Sequence, residues 1–251
     1  MIQIPADLDS VLDVAWGRAK NAPGSVLESE ARFLGIAAAC TPADGAIVEI
    51  GNAEGRSTAM LATVAGRYGR GPVVWIPSGG LMSEGFLSSL RKAGVEQQVE
   101  LRQGSSTEVS ASWSGPIRFL WMNGDRSLKG AREDFEAFST FLVEGGVVAI
   151  SGSLDAFAGP VAVFLDCILR SSKFGPAGFV YSIAWAQYRP KDGSRFDAGR
   201  RGLYRQAVKL LPYVKDGVPL KGISKAMYQL IRSRVPRAAV SAEAWATMLE
   251  A

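Results

Sequence analysis

Apolar positions along residues 1–188 follow two alternating patterns, one helical and one typical of buried strands. Between Leu8 and Ala19, apolar side chains recur three and four positions apart, which predicts an amphipathic helix. Ala46–Ile50 is instead a short apolar run that ends at a glycine, which is typical of a buried strand. The same patterns predict helices at Val26–Ala39, Arg56–Tyr68, Phe86–Lys92, Lys129–Leu142 and Pro160–Leu169, and strands at Val73–Ile76, Val99–Arg102, Ile117–Met122 and Val147–Ile150, with a β-rich stretch at Phe179–Tyr188.

Helices and strands that alternate in this way are joined by right-handed crossovers into a parallel sheet. We therefore predict an α/β fold with a doubly wound, mostly parallel, Rossmann-like sheet that is covered by helices on both faces. In such folds ligands bind beyond the carboxyl ends of the strands. The residues that follow each predicted strand are therefore the ones to search for a functional site.

Charge divides the chain into an acidic body and a basic tail. Residues 1–188 carry fifteen Lys and Arg against nineteen Asp and Glu, and residues 189–251 carry thirteen against five, which gives net charges of −4 and +8. The change falls near the turn-forming pairs Arg189-Pro190 and Asp192-Gly193. We predict a sheet domain at residues 1–190, whose residues 1–40 form N-terminal helices, and a basic helical extension at residues 191–251.

The chain contains no histidine, which excludes several classes of active site. Catalytic triads and dyads that use histidine are impossible, and so are metal sites that need imidazole. Acid or base chemistry would fall to carboxylates, Lys, Tyr or Cys. The two cysteines, Cys40 and Cys167, are too far apart in the sequence to form a C-x-x-C motif.

The sequence also predicts a cytoplasmic protein. We find no signal peptide in the first residues and no apolar stretch long enough to span a bilayer, which needs about 20 residues. Two thiols in a chain of this size suit a reducing compartment.

A glycine-containing turn joins the first strand to a helix, with the sequence Glu49-Ile-Gly51-Asn-Ala-Glu-Gly55-Arg-Ser57-Thr58. Gly51 allows a tight turn, and Gly55 allows close approach of a helix or a ligand. Free N–H groups at the helix start could hold a polar or anionic group, with Ser57 as a cap or donor. Tight packing without any ligand explains the same glycines, so both interpretations stay open.

This turn resembles the first motif of class I S-adenosylmethionine (SAM) dependent methyltransferases, in particular bacterial small-molecule O-methyltransferases. The similar residues are VEIGNAEGRSTAML, preceded by ESEARFLGIAA. Two later blocks, FLWMNGDRSLKGAREDFEAF and FLVEGGVVAISGSLDAFAGP, resemble the fourth-strand and fifth-strand motifs of the same family. The similarity covers about residues 28–188. It implies that SAM is the cofactor and that its binding residues include Glu49, Gly51, Asn52, Gly55 and Ser57.

The sequence departs from the family pattern at the ends of the second and third strands. In the family, the second strand is usually followed by an acidic residue that binds the ribose of SAM. This chain has Ser78 there and no carboxylate. After the third strand the family often has an acid that faces the adenine, where this chain has Gly104, Ser105 and Ser106. The resemblance implies that these residues make neutral contacts in place of the missing acids.

Further departures follow the fourth and fifth strands. Asn123 replaces a family aspartate, and Arg126 replaces a family histidine, whereas Gly124 and Asp125 match. Ser151-Gly152 replaces a His-Asp pair. We therefore expect no metal ion, because neither Asn123 nor Gly152 supplies the charged oxygen that a hard cation prefers.

Two residues of this region are the candidates for catalysis, and Asn123 is expected to contact the cofactor. Asp125 is either the catalytic base or, as we favour, an N-terminal cap of the following helix. Arg126 is either a solvated side chain or a guanidinium group whose paired N–H donors hold an acidic substrate.

The basic extension contains a predicted amphipathic helix within Lys221–Val235. We favour packing of its apolar stripe on the domain or on a second subunit, with docking on anionic lipid or an acidic partner as the alternative. Nucleic-acid binding is not expected, because no motif for it is present. The apolar stripe of this helix comprises Ile223, Met227, Leu230 and Ile231.

A further helix is predicted at Ala242–Leu249, with Trp245 inward.

Two functions are compatible with these observations. The first is SAM-dependent, metal-independent methyl transfer to a hydroxyl of a small metabolite, such as a sugar or a natural-product intermediate. The second is a catalytically inactive methyltransferase-fold protein that acts as a binding or partner subunit in a homodimer or heteromer. The replaced strand-end residues favour the second function, and the glycine turn favours the first.

Overall fold

A mixed sheet of seven strands forms the centre of the molecule in the computed structural model, which describes residues 2–51, 55–79 and 82–250. The strand order is β3-β2-β1-β4-β5-β7-β6, with parallel pairing from β3 through β5 and antiparallel pairing of β7 with both of its neighbours. This order confirms the predicted doubly wound, mostly parallel fold. The strands are β1 (Ala46–Gly51), β2 (Val73–Pro77), β3 (Val99–Leu101), β4 (Ile117–Asn123), β5 (Leu142–Ile150), β6 (Phe174–Val180) and β7 (Ile183–Tyr188).

Helices cover both faces of this sheet, as the alternating pattern predicts. The helices α1 to α4 and α10 pack on one face, and α5 to α9 pack on the other. The helices are α1 (Leu8–Ala19), α2 (Glu28–Cys40), α3 (Arg56–Tyr68), α4 (Glu84–Ala93), α5 (Ser106–Ala111), α6 (Leu128–Ser139), α7 (Ala158–Val163, continued by a π-helix at Phe164–Leu169), α8 (Asp197–Ala207), α9 (Gly222–Arg234) and α10 (Ala242–Glu250).

One row of the sheet combines a buried acid with buried tryptophans. Glu49 in β1 pairs in register with Trp75 in β2 and with Trp121 in β4. Residues that pair in register point to the same face, so the carboxyl group of Glu49 lies between two indole rings beneath α1 to α4. Both tryptophans are almost completely buried, so the acid lies in the hydrophobic core.

The predicted helix Lys129–Leu142 is wrong at its end. The observed α6 stops at Ser139, and Leu142 is already the first residue of β5. The apolar side chains continue at helical spacing past this point, so the pattern itself shows no boundary. The main chain leaves the helix because the Phe141 carbonyl accepts a hydrogen bond from Ile117 N–H at 2.9 Å, which joins the chain to the start of β4.

The last helix of the basic extension belongs to the hydrophobic core. Trp245 in α10 is fully buried, and its ring contacts Phe33 in α2 and Trp185 in β7 with centroid separations of 5.2 and 4.7 Å. The inward position predicted for Trp245 is therefore confirmed. The division of the chain at residue 190 stays a prediction.

Helix α9 exposes Ile223, Met227 and Leu230 of its apolar stripe to solvent, whereas Ile231 is half-buried against the core, so the expectation that the stripe packs on the domain is correct for Ile231 alone. Ile223 is 83% exposed and Leu230 is 46% exposed, whereas Tyr228 is the buried residue of this helix. Contacts with a second subunit, an acidic partner or an anionic membrane stay predictions. Within the described ranges, no helix combines the length and hydropathy that would let it cross a membrane.

Candidate functional site

The carboxyl end of β1 holds the buried acid of the candidate site. Glu49 accepts a hydrogen bond from the Ser57 hydroxyl at the start of α3, with an O–O distance of 2.5 Å. Its second oxygen, Oε2, is buried and has no hydrogen-bond partner within the described part of the chain. Burial raises the pKa of Glu49 to about 7, and hydrogen bonding from neighbouring polar groups, Ser57 first, offsets only part of this effect. A bound cation or hydrogen-bond donor would stabilise the charged form.

Asn123 at the end of β4 supplies a second buried acceptor on the same face. It pairs in register with Gly51, two residues beyond Glu49, so both side chains point toward the α3 side of the sheet. Asn123 is 6% exposed, and its Oδ1 has no hydrogen-bond partner among the described residues. Two unpartnered acceptor oxygens therefore lie on one face at the carboxyl ends of neighbouring strands.

The glycines of the turn are required by packing. Gly55 precedes α3 with a φ of +92°, and a Cβ at this position would lie 2.9 Å from Ser89 Cβ in α4. A Cβ on Gly51 would lie 3.0 Å from the indole nitrogen of Trp75. The close helix approach predicted for Gly55 is confirmed, whereas ligand contact stays a prediction. Asn52, the other cofactor residue predicted in this turn, lies outside the described residues.

Ser78 and Ser106 lie on the opposite face of the sheet from Glu49. Ser106 and Asp134 in α6 are both buried. Burial raises the pKa of Asp134, and the nearby Ser106 hydroxyl offsets part of this rise. A Cβ on Gly124 would lie 2.9 Å from Asp134 Oδ2 and 3.0 Å from Ser78 Oγ, so Gly124 permits the close approach of all three elements. Sequence reasoning missed Asp134, although it lies within the fourth-strand block FLWMNGDRSLKGAREDFEAF.

Ser105 has a structural role at the start of α5. Its hydroxyl accepts a hydrogen bond from Glu108 N–H, and Glu108 Oε2 accepts one from Ser105 N–H, which together form a capping box. Gly104 precedes it with a φ of +124°, a conformation that favours glycine. The predicted contacts of Gly104, Ser105 and Ser106 with a cofactor stay predictions.

Asp125 and Arg126 occupy the turn between β4 and α6. Asp125 Oδ1 accepts a hydrogen bond from Ser127 N–H at 2.7 Å, but the cap of α6 is Ser127, whose hydroxyl accepts from Gly130 N–H. The expectation that Asp125 caps the helix is therefore wrong. Arg126 is half-buried, with its guanidinium 4.2 Å from the centroid of the Phe157 ring. It stacks on an aromatic ring, which the sequence alone did not indicate.

The carboxylates near these strand ends are dispersed. No group of three or more Cys, Asp and Glu within the described residues is arranged to hold a metal ion. Gly152, which follows β5, has a φ of +65° and lies against the Phe157 ring. The positions that carry acids in the family motifs thus hold a neutral amide at Asn123 and no side chain at Gly152.

Known proteins share both the central motif region and the fold. Residues 48–151 match a family model described as a methyltransferase domain. This match confirms the resemblance to SAM-dependent methyltransferases that the motifs predict.

Three solved structures are similar to this chain over three quarters of its length. A putative O-methyltransferase from Klebsiella pneumoniae is 18% identical, with a TM-score of 0.56 over 75% of this chain and 92% of that chain. The O-methyltransferase TomG from Streptomyces achromogenes, involved in tomaymycin synthesis and solved with SAM, is 18% identical, with a TM-score of 0.55 over 75% and 92%. An O-methyltransferase from Bacillus cereus, solved with SAH, is 21% identical, with a TM-score of 0.51 over 74% and 93%. At these identities the similarity shows a shared fold.

Proposed function

We propose that this protein binds SAM at the carboxyl ends of β1 and β4 and transfers its methyl group to a hydroxyl of a small metabolite, without a metal ion. The methyltransferase-domain match over residues 48–151 supports the reaction class. The observation that carries the proposal is a pair of buried acceptors beside the glycine turn, Glu49 Oε2 and Asn123 Oδ1, which have no hydrogen-bond partner within residues 2–51, 55–79 and 82–250. Buried polar groups are normally hydrogen-bonded, so these two oxygens fit a ligand that brings donors.

The chemistry of SAM matches these acceptors. SAM carries an ammonium group and two ribose hydroxyls, all of which donate hydrogen bonds. Glu49 would hold the ammonium group through a charge-assisted hydrogen bond, and Asn123 would accept a second donor. Bound SAM supplies an activated methyl group, so the residues of this chain mainly position the two reactants.

Asp125 is the residue we propose as the base for the acceptor hydroxyl. It is exposed beyond the end of β4, and its Oδ1 is held by Ser127 N–H at 2.7 Å. A base at this position needs only to accept one proton as the acceptor oxygen is methylated. The donors present support independence from metal, because Asn123 is neutral and burial raises the pKa of Asp134, which favours its uncharged form.

We propose a sugar or a natural-product intermediate as the methyl acceptor and the cytoplasm as the compartment. The fold that this chain shares with TomG, an enzyme involved in tomaymycin synthesis, supports the acceptor class. The two unpaired cysteines, Cys40 and Cys167, support a reducing compartment.

A binding protein without catalysis is the second candidate, and one observation favours it. The residues expected at the ribose and adenine, Ser78 and Ser106, lie instead beside Asp134 and Gly124, where they help to join β2, β4, α5 and α6. Side chains that hold these elements together are less available to contact a cofactor. Such a protein would bind SAM weakly or use the same surface for another partner.

Calorimetric titration of the full chain with SAM and with SAH tests the proposal. We expect both to bind, and we expect Glu49→Gln to weaken SAM about ten- to a hundredfold, the range for losing one charge-assisted hydrogen bond. Glu30→Gln is the matched control, because Glu30 is also buried and accepts from a serine, Ser182, but lies in α2 and takes no part in β1 or the glycine turn.

The outcomes separate the two candidates. Absence of binding by the folded wild-type protein at millimolar SAM and SAH would overturn the proposal. Binding followed by SAH formation from a hydroxylated acceptor in excess EDTA would support a metal-independent enzyme. Binding without turnover over a broad acceptor panel would favour the non-catalytic candidate.

A further inference from the structure

A cavity of about 530 Å³ opens beside the carboxyl ends of β4 and β5. Its walls come from three separate parts of the chain. The turn after β4 contributes Asp125–Ser127, the turn after β5 contributes Asp155–Ala158, and the basic extension contributes Lys215–Leu220. The third segment lies almost ninety residues after the first along the chain, so no local sequence pattern places it here.

The three carboxylates that line the cavity all have partners. Asp125 accepts from Ser127 N–H at 2.7 Å, and Asp155 forms an ion pair with Arg232 at 3.0 Å. Asp216 accepts from Leu128 N–H, at 3.0 Å to one oxygen and 2.9 Å to the other, at the start of α6. Arg232 neutralises the charge of Asp155, whereas Asp125 and Asp216 keep their negative charges because their partners are neutral main-chain N–H groups.

The two cations of the cavity have no such partner. Within the described residues, neither Arg126 nor Lys215 forms an ion pair with any carboxylate. Arg126 is half-buried, so the positive charge it presents is only partly solvated. Asp125 and Asp216 balance the charges of Arg126 and Lys215 in number, but Arg126 has no carboxylate within ion-pair distance among the described residues, so an anionic ligand would supply its missing counter-ion.

The geometry of Arg126 leaves its hydrogen-bond donors available. Its guanidinium carbon lies over the Phe157 ring, 4.2 Å from the ring centroid, and within the described residues its N–H groups have no hydrogen-bond acceptor. The N–H donors lie in the guanidinium plane and form a fork that matches a carboxylate or a phosphate. Apolar residues complete the lining, namely Ala156, Phe157, Ala158, Pro219 and Leu220.

We propose that this cavity binds the methyl acceptor through a carboxylate or phosphate group, with Arg126 as the anchor and Lys215 as a supporting charge. The acceptor class is then a small hydroxylated acid with an apolar or aromatic body, held beside Asp125. As an assignment of the acceptor, this inference rests on the proposed methyl transfer, whereas anion binding in the cavity can be measured without SAM.

Titration of the full chain with 4-hydroxybenzoate, phenyl phosphate and the uncharged isostere 4-hydroxybenzamide tests the inference. We expect at least one of the two anions to bind at least tenfold more tightly than the amide, and the preferred anion distinguishes a carboxylate site from a phosphate site. Arg126→Gln should remove this preference, and Arg126→Lys should restore only part of it because the fork is lost. Arg132→Gln is the matched control, since Arg132 is an exposed arginine of α6 outside the cavity.

Two results would overturn the inference. One is that neither anion binds the wild-type protein more tightly than the amide at millimolar concentration. The other is that folded Arg126→Gln, checked by its melting temperature, binds the anions as the wild type does. Titration with SAM keeps the two proposals apart. Arg126-dependent anion binding without SAM binding would reject the methyltransferase and keep the anion site, and the converse would reject only the anion site.

Discussion

At the residue scale, the carboxyl group of Glu49 links the stability of the fold to pH. The pKa is raised from 4.5 to about 7 in the folded protein because burial disfavours the charged form. Between these two values the unfolded chain releases the proton while the folded protein keeps it. Stability contributed by the protonated group is therefore present below about pH 4.5 and is lost as pH rises toward 7.

The substitution Glu49→Gln should remove this dependence. We expect the free energy of unfolding of the variant, relative to wild type, to increase between pH 4.5 and 7 by up to about 3 kcal/mol. Urea unfolding of both proteins at pH 4.5, 6 and 7.5 measures the difference. A difference that stays constant across this range would show that Glu49 titrates in the folded protein as it does in the unfolded chain.

At the element scale, the start of α7 sets the position of the turn that carries Arg126. Gly159 N–H donates to the Arg126 carbonyl at 3.0 Å, and a Cβ on Gly159 would lie 2.1 Å from the Ser127 carbonyl oxygen. Neither main-chain atom can move far, because Ser127 also caps α6. The contact between α7 and the β4–α6 turn therefore depends on the absence of a side chain.

The substitution Gly159→Ala should displace this turn. We expect a loss of about 1–3 kcal/mol in unfolding free energy, typical of overpacking, and weaker binding of the anion preferred by the cavity. Gly199→Ala in α8 is the control, because its Cβ would meet no atom within 4 Å and should stabilise the helix by up to about 1 kcal/mol. Equal stability of the two variants would contradict this prediction.

Helix α9 shows the limit of pattern reasoning at this scale. Its apolar spacing correctly predicts a helix. The face that packs on the domain, however, carries Tyr228, whose hydroxyl accepts a hydrogen bond from Ala156 N–H at 2.9 Å, and Arg232, which forms an ion pair with Asp155. Of the apolar stripe, Ile231 packs against the core, and Ile223, Met227 and Leu230 face solvent. A periodic pattern identifies an amphipathic helix, but it does not identify which neighbour the helix meets.

At the scale of the whole molecule, the basic extension and the sheet domain share one core. Trp245 in α10 is enclosed by Phe33 from the N-terminal helices and Trp185 from the sheet. We expect Trp245→Ala to cost about 3–5 kcal/mol, the usual cost of removing a buried aromatic side chain. Ile223→Ala, at a position 83% exposed, is the control and should change stability little.

Chemical denaturation followed by both tryptophan fluorescence and far-ultraviolet circular dichroism measures these changes. We expect coincident transitions for wild type and for Trp245→Ala, because a shared core unfolds as one unit. Separate transitions would indicate that residues 191–251 fold independently of the sheet.

The sequence alone determined the class of fold and the place to search for a site. The alternation of short apolar runs with amphipathic helices is a local property, so β1 and α3 were predicted within one residue of their observed bounds. The glycine turn was also predicted from the sequence. A Cβ on Gly51 would meet Glu49, which is close in the sequence, and a Cβ on Gly55 would meet Ser89 in the adjacent helix α4.

Only the tertiary structure decided how the candidate residues are grouped. It separated Glu49 and Asn123 from Ser78 and Ser106, which lie on opposite faces of the sheet, and it joined Ser106 to Asp134. It also brought Lys215 and Asp216 from the basic extension to the turn that holds Arg126. These contacts join residues far apart in the chain and depend on which face each side chain occupies and on how the helices pack. Neither property is encoded in a short sequence pattern.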